Sequence, residues 1–135
     1  MTTKSKGRVK WFDTGPLPAY IGFTSDERAF MREGKRLLQG GPMNNWIMAH
    51  EGAPGRTQSV WRPDGPGAVA VIVTVHREGM LKARVAEAFG LLAHETVHVL
   101  QVVEDHMGAP LGREAQAYFV QMYTQWFFKA FAEGY

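Results

Sequence analysis

The sequence predicts an α+β fold: a small, mainly antiparallel sheet followed by two long C-terminal helices. Three observations carry that prediction. Ten of the fifteen glycines and six of the seven prolines precede residue 70, which favours short strands and turns there. The stretch Ala68–His76 is the richest in β-branched residues and reads as a strand. From residue 78 the pattern becomes helical, with Leu81, Val85, Phe89, Leu92, Val99 and Val103 mostly at spacings of three, four or seven.

The elements follow in order. Val9–Phe12 is a short strand stopped by Gly15-Pro16-Leu17-Pro18, and Ala19–Phe23 is a second. Thr24 with Glu27 fits a capping box for a helix ending before Gly40-Gly41-Pro42. Trp46–His50 and Gln58–Arg62 are expected to pair as a hairpin across residues 51–57. Asp64–Gly67 turns the chain into the strand at 68–76. One helix then covers roughly 80–105 and is broken at Gly108-Ala109-Pro110; the next begins near Leu111 or Gly112 and runs to about Ala132.

At 135 residues the chain is a single domain, with residues 1–17 read as a flexible basic arm or an edge strand. The composition, 21% charged and 45% hydrophobic, is that of a folded chain. The absence of cysteine excludes disulfides, thiolate metal sites and a cysteine nucleophile. The formal charge of +2 is unevenly divided. Residues 1–36 hold eight Lys/Arg against four Asp/Glu, and residues 37–135 hold seven against nine, so +4 and −2. Basicity thus belongs to the first quarter, a docking surface for an acidic partner rather than a nucleic-acid site. There is no secretory signal and no apolar run near the ~18 residues of a membrane helix, so the expected location is the cytoplasm.

The informative stretch is His94-Glu95-Thr96-Val97-His98. On a helix, positions i and i+4 share a face about 6 Å apart, so both imidazoles can reach one Zn²⁺. Glu95 falls beside the first ligand, where it can take a proton from a zinc-activated water. Such a match arises by chance in roughly one in a hundred chains of this composition, and its bland reading is two half-buried histidines. The apolar helix around it, with Gly90 one turn earlier, favours a cleft.

H-E-x-x-H followed by the downstream Glu114 resembles the gluzincin class of zinc metallopeptidases. The pairing of H-E-x-V-H-x-x-Q (94–101) with E-x-x-A-Y-x-x-Q (114–121) resembles small, uncharacterised HExxH proteins of tailed bacteriophages, as does Ala19–Phe23 followed by Arg28–Leu37. The resemblance implies a zincin-like minimal catalytic domain with His94, His98 and Glu114 as zinc ligands and Glu95 as the base. The class often has an aspartate four residues after the third ligand; here Tyr118 stands there, an oxyanion donor or a packed aromatic. Gln101 and Gln121 are candidates for hydrogen bonds behind the ligands or between helices, their bland reading being ordinary polar surface. Only fifteen residues separate His98 from Glu114, so the first helix is expected to end within about two turns of His98. The resemblance also implies a peptide or protein substrate laid along a sheet edge, for which the strand at 68–76 is the natural candidate. Its end residue His76 reads as exposed, and His50 and His106 have nothing beside them that suggests a role.

Two other readings compete. Gly7–Asp13 resembles the opening strand of cold-shock domains, which bind single-stranded nucleic acid, but the following motifs are absent. Residues 118–135 hold eight of the sixteen aromatics, including Trp126-Phe127-Phe128, more than one helix face can bury. The usual explanation is core on one side and partial burial on the other; the sharper one is a homo-oligomer or a virion or assembly protein with a structural zinc site, in the host cytoplasm or associated with a virion.

Overall fold

In the computed structural model, residues 4–61 and 68–135 are described. The strands are β1 (Lys10–Phe12), β2 (Ala19–Thr24), β3 (Gly55–Trp61) and β4 (Val69–Val75). The helices are α1 (Glu27–Leu37), α2 (Arg77–Lys82), α3 (Val85–Met107) and α4 (Arg113–Ala132). The α+β class and the two long C-terminal helices are as predicted; the turn expected at Asp64–Gly67 lies outside the described residues.

The four strands form one sheet in the order β1-β2-β4-β3. β1 with β2 and β3 with β4 are antiparallel, whereas β2 and β4 run parallel from Ala19↔Val69 to Thr24↔Thr74. The sheet is therefore mixed. All seven residues of β4 are buried, because helices cover both faces of this central strand. On one face α1 contributes Phe30 and Leu37, which pack with Trp46, Ala70 and Ile72. On the other, α3 and α4 close over Ile21, Phe23, Val71, Val73 and Val75.

Three local expectations are corrected. Trp46–His50 does not pair with β3: its extended character ends in one isolated bridge between His50 and Ala53. Trp46 is instead drawn onto α1, where its ring stacks on Phe30 and its Nε1 donates to the Phe30 carbonyl at 2.9 Å. The helix at 27–37 is capped by Asp26, whose carboxylate accepts from Ala29 N; the Thr24 hydroxyl accepts from Asp26 N. The helical pattern after residue 78 divides in two, with α2 ending at Lys82 and α3 starting at Val85.

Most aromatic residues of α4 enter or pack against the protein's own core. Phe119, Tyr123, Phe127 and Phe131 are buried, Trp126 stacks on Phe12, and Phe128 stacks on Phe89. Burial, with the charge of Asp13 adding to it, pushes the Tyr123 hydroxyl up to about 12, so it stays neutral. The basic N-terminal segment leads into β1, an edge strand, and its cations gather at one ring: Lys6, Arg8 and Lys10 lie 4.5, 5.7 and 5.6 Å from the Tyr135 centroid. No helix among the described residues is long and apolar enough to cross a membrane.

Candidate metal centre

α3 buries Ala88, Leu92, Thr96, Val99 and Val103, a stripe at helical spacing that faces the sheet and α4. Thr96 and the histidines project about 160° apart around the helix axis, so that packing turns His94 and His98 outward. Both are exposed, while Glu95 between these two faces is 4% exposed. The wall opposite is β3, an edge strand bonded only to β4. Between β3 and α3 lies an open cleft of about 450 Å³, with Thr57, Glu95, His94, His98 and Gln101 in its lining.

The two Nε2 atoms face each other at 3.2 Å. His98 Nδ1 lies 2.9 Å from Gln101 Oε1, an oxygen that can only accept, so this contact is a hydrogen bond in the tautomer with the proton on Nδ1, the one that leaves the Nε2 lone pair free. Glu95 turns into the cleft floor. Its Oε1 accepts from the Thr57 hydroxyl at 2.9 Å, and its Oε2 is 3.9 Å from His94 Nε2. The structure thus brings His94, Glu95, His98 and Gln101 together.

It does not bring Glu114, Tyr118 or Gln121 to them. α3 continues to Met107, where Gly108 ends it in the left-handed conformation at φ 73°. That is beyond the two turns that a Glu114 ligand required. α4 then returns antiparallel along the Thr96 side: Gln116 Nε2 donates to Glu104 Oε2 at 2.9 Å, and Thr124 Oγ1 donates to Thr96 Oγ1 at 3.2 Å. This register puts Glu114 level with the last turn of α3, on the face opposite the histidines. Glu114 and Gln121 are exposed and Tyr118 is 65% exposed, and none of the three lines the cleft. Among the described residues no third His, Asp or Glu completes a metal-holding group.

The strand at the cleft is also different. β4 is central and paired on both sides, so the available edge belongs to β3. His76 is the N-cap of α2, its Nδ1 accepting from Gly79 N at 3.3 Å, and His50 Nδ1 accepts from Gly52 N at 3.2 Å. Neither lines the cleft.

Thr57 and Gly55 were not singled out by the sequence, because a threonine and a glycine in an alternating strand are unremarkable until the strand's neighbour is known. Gly55 allows the close approach of β3. A Cβ there would lie 2.7 Å from Leu91 Cδ1 and 3.2 Å from Glu95 Cγ. Gly55→Ala is therefore expected to cost about 1–3 kcal/mol, measured by denaturant unfolding, as β3 is pushed off α3. A neutral result would mean that Leu91 rotates aside and the strand stays in place.

No family model matches the chain, and neither curated proteins nor solved structures provide a significant match.

Proposed function

We propose that this protein is a small zinc-dependent metallopeptidase of the HExxH type, in which His94 and His98 hold the ion and Glu95 is the general base. The observation that supports it best is the opposition of two imidazole Nε2 atoms at 3.2 Å above a buried carboxylate in an open cleft. Two nitrogens bound to zinc at ~2.0–2.1 Å in a tetrahedral arrangement stand about 3.3 Å apart, so the pair fits the ion with little movement. The donor set also fits: a Gln101 acceptor behind His98 suits the tautomer that a ligand needs.

When bound, zinc supplies Lewis acidity and lowers the pKa of a coordinated water. The chain's own contribution is proton handling and orientation. Glu95 accepts the proton of the attacking water and passes it to the leaving amine. The free edge of β3 offers N–H and C=O groups to an extended chain, which is the reason to favour a peptide among hydrolysable substrates. Two histidines are one protein ligand fewer than catalytic zinc sites usually have, which predicts a more readily exchanged ion.

Metal analysis and zinc titration of variants test this reading. His94→Ala and His98→Ala are each expected to lower zinc affinity by at least about tenfold, a loss of ~1.4 kcal/mol or more in binding. Glu114→Ala is expected to leave it unchanged. Full zinc retention in both histidine variants would sink the proposal, and loss in Glu114→Ala would return that residue to the ligand set.

A further inference from the structure

We propose that Thr57 is the positioning residue of Glu95: its hydroxyl fixes one carboxylate oxygen so that the other is left beside the histidine pair. The inference rests on the reading of Glu95 as the base and adds the residue that aims it.

A glutamate has three rotatable bonds, and a base must meet its proton within hydrogen-bonding reach. Burial alone does not choose among its rotamers. Here the choice is made from the neighbouring strand. Thr57 Oγ1 lies 2.9 Å from Glu95 Oε1 and 3.2 Å from the Glu95 carbonyl oxygen. A hydroxyl has one proton to give, and a charged acceptor forms the stronger bond, so the carboxylate takes it. Oε1 is thereby engaged, while Oε2 faces His94 Nε2 at 3.9 Å, too far for a hydrogen bond. One oxygen is anchored and one is available.

The anchor itself is stiff. Threonine is β-branched and restricted at χ1. Its strand partner across the ladder, Val73, is fully buried, so the pairing that holds Thr57 in place is anchored on the core. Gly55, two residues earlier on the same face, lets the strand come close enough for a side chain as short as threonine's to reach Glu95. A longer donor would not need that approach; a threonine does.

The test compares Thr57→Val, which keeps the shape and removes the proton donor, with Thr57→Ser, which keeps the donor and loses the methyl group. Each is assayed as the zinc-loaded full chain on a fluorogenic peptide library, then on the best-cleaved peptide for kcat and KM. Thr57→Val is expected to bind zinc as the wild type does and to lose about 10- to 100-fold in kcat with KM little changed, the scale of a misplaced base. Thr57→Ser is expected to recover most of that loss. In a Glu95→Gln background Thr57→Val is expected to cost nothing further, because the residue acts only through Glu95. Should valine prevent folding, Thr57→Ala against Thr57→Ser makes the same comparison. Wild-type kcat in the valine variant, or equal impairment of valine and serine variants, overturns the role of Thr57 and leaves the base assignment intact. A zinc-loaded wild type that cleaves no peptide overturns the base assignment first, and the role of Thr57 with it.

Discussion

Glu95→Gln is expected to retain zinc and to lose hydrolysis by about 10²- to 10⁴-fold, the contribution of a positioned general base. The amide has nearly the carboxylate's shape, and its oxygen can still accept from the Thr57 hydroxyl. Folding should therefore survive, and relief from holding a charge at 4% exposure acts in favour of the variant's stability. What the amide lacks is a basic lone pair that can carry a proton from water to the leaving amine. Paired measurements separate the alternatives. Zinc retained with activity lost is the signature of a base. Zinc lost as well would make Glu95 a ligand, a role its Oε2, 3.9 Å from His94 Nε2, could assume after a small rotation. Activity above about a tenth of wild type would remove Glu95 from the chemistry altogether.

The part of this site that lies within one helix was legible in the sequence. Spacing alone puts His94 and His98 on one face, and the apolar stripe through Leu92, Val99 and Val103 says that this face looks outward. The same stripe explains why the expected early end of this helix, and with it the Glu114 ligand, fails. It continues without interruption from Val99 to Val103, and nothing before Gly108 stops the helix, so α3 carries the chain well past the histidines before it can turn. What joins separate elements was less accessible. The parallel pairing of β2 with β4 depends on α1 crossing one face of the sheet, and the hint of it, an apolar residue at almost every position of Val69–Val75, marks a strand covered on both faces. Trp46–His50 has strand-like composition, yet Trp46 is seated on α1 by the Phe30 ring and carbonyl, contacts between separate elements that composition does not reveal. Thr57 could not have been found at all, since its importance arises only where β3 meets Glu95.

Gly34→Ala tests that hidden contact on the other side of the sheet. In an ordinary helix interior the change should stabilise by about 0.5–1 kcal/mol, since alanine is the better helix former. Here it is expected to destabilise by about 2–4 kcal/mol and to lower Tm by roughly 10 °C, combining overpacking with a lost hydrogen bond. A Cβ at Gly34 would fall 2.1 Å from Trp46 Nε1, 2.4 Å from Cδ1 and 2.5 Å from Cε2, directly within the indole. The indole can retreat only by giving up its contacts with α1. It is 5% exposed, its ring lies 4.4 Å from the Phe30 centroid at an interplanar angle of 6°, and Nε1 is held by the Phe30 carbonyl. Moving it breaks the stack and leaves the buried indole N–H without its acceptor, the Phe30 carbonyl. A double-mutant cycle isolates the cause: in a Trp46→Leu background, Gly34→Ala should cost far less than in the wild type. Because this cluster packs on the sheet face opposite the cleft, zinc affinity of the folded fraction should be unchanged. If Gly34→Ala proved neutral, Trp46 could not be seated on α1, and the segment from Gly40 to His50 would have to take another course over the sheet.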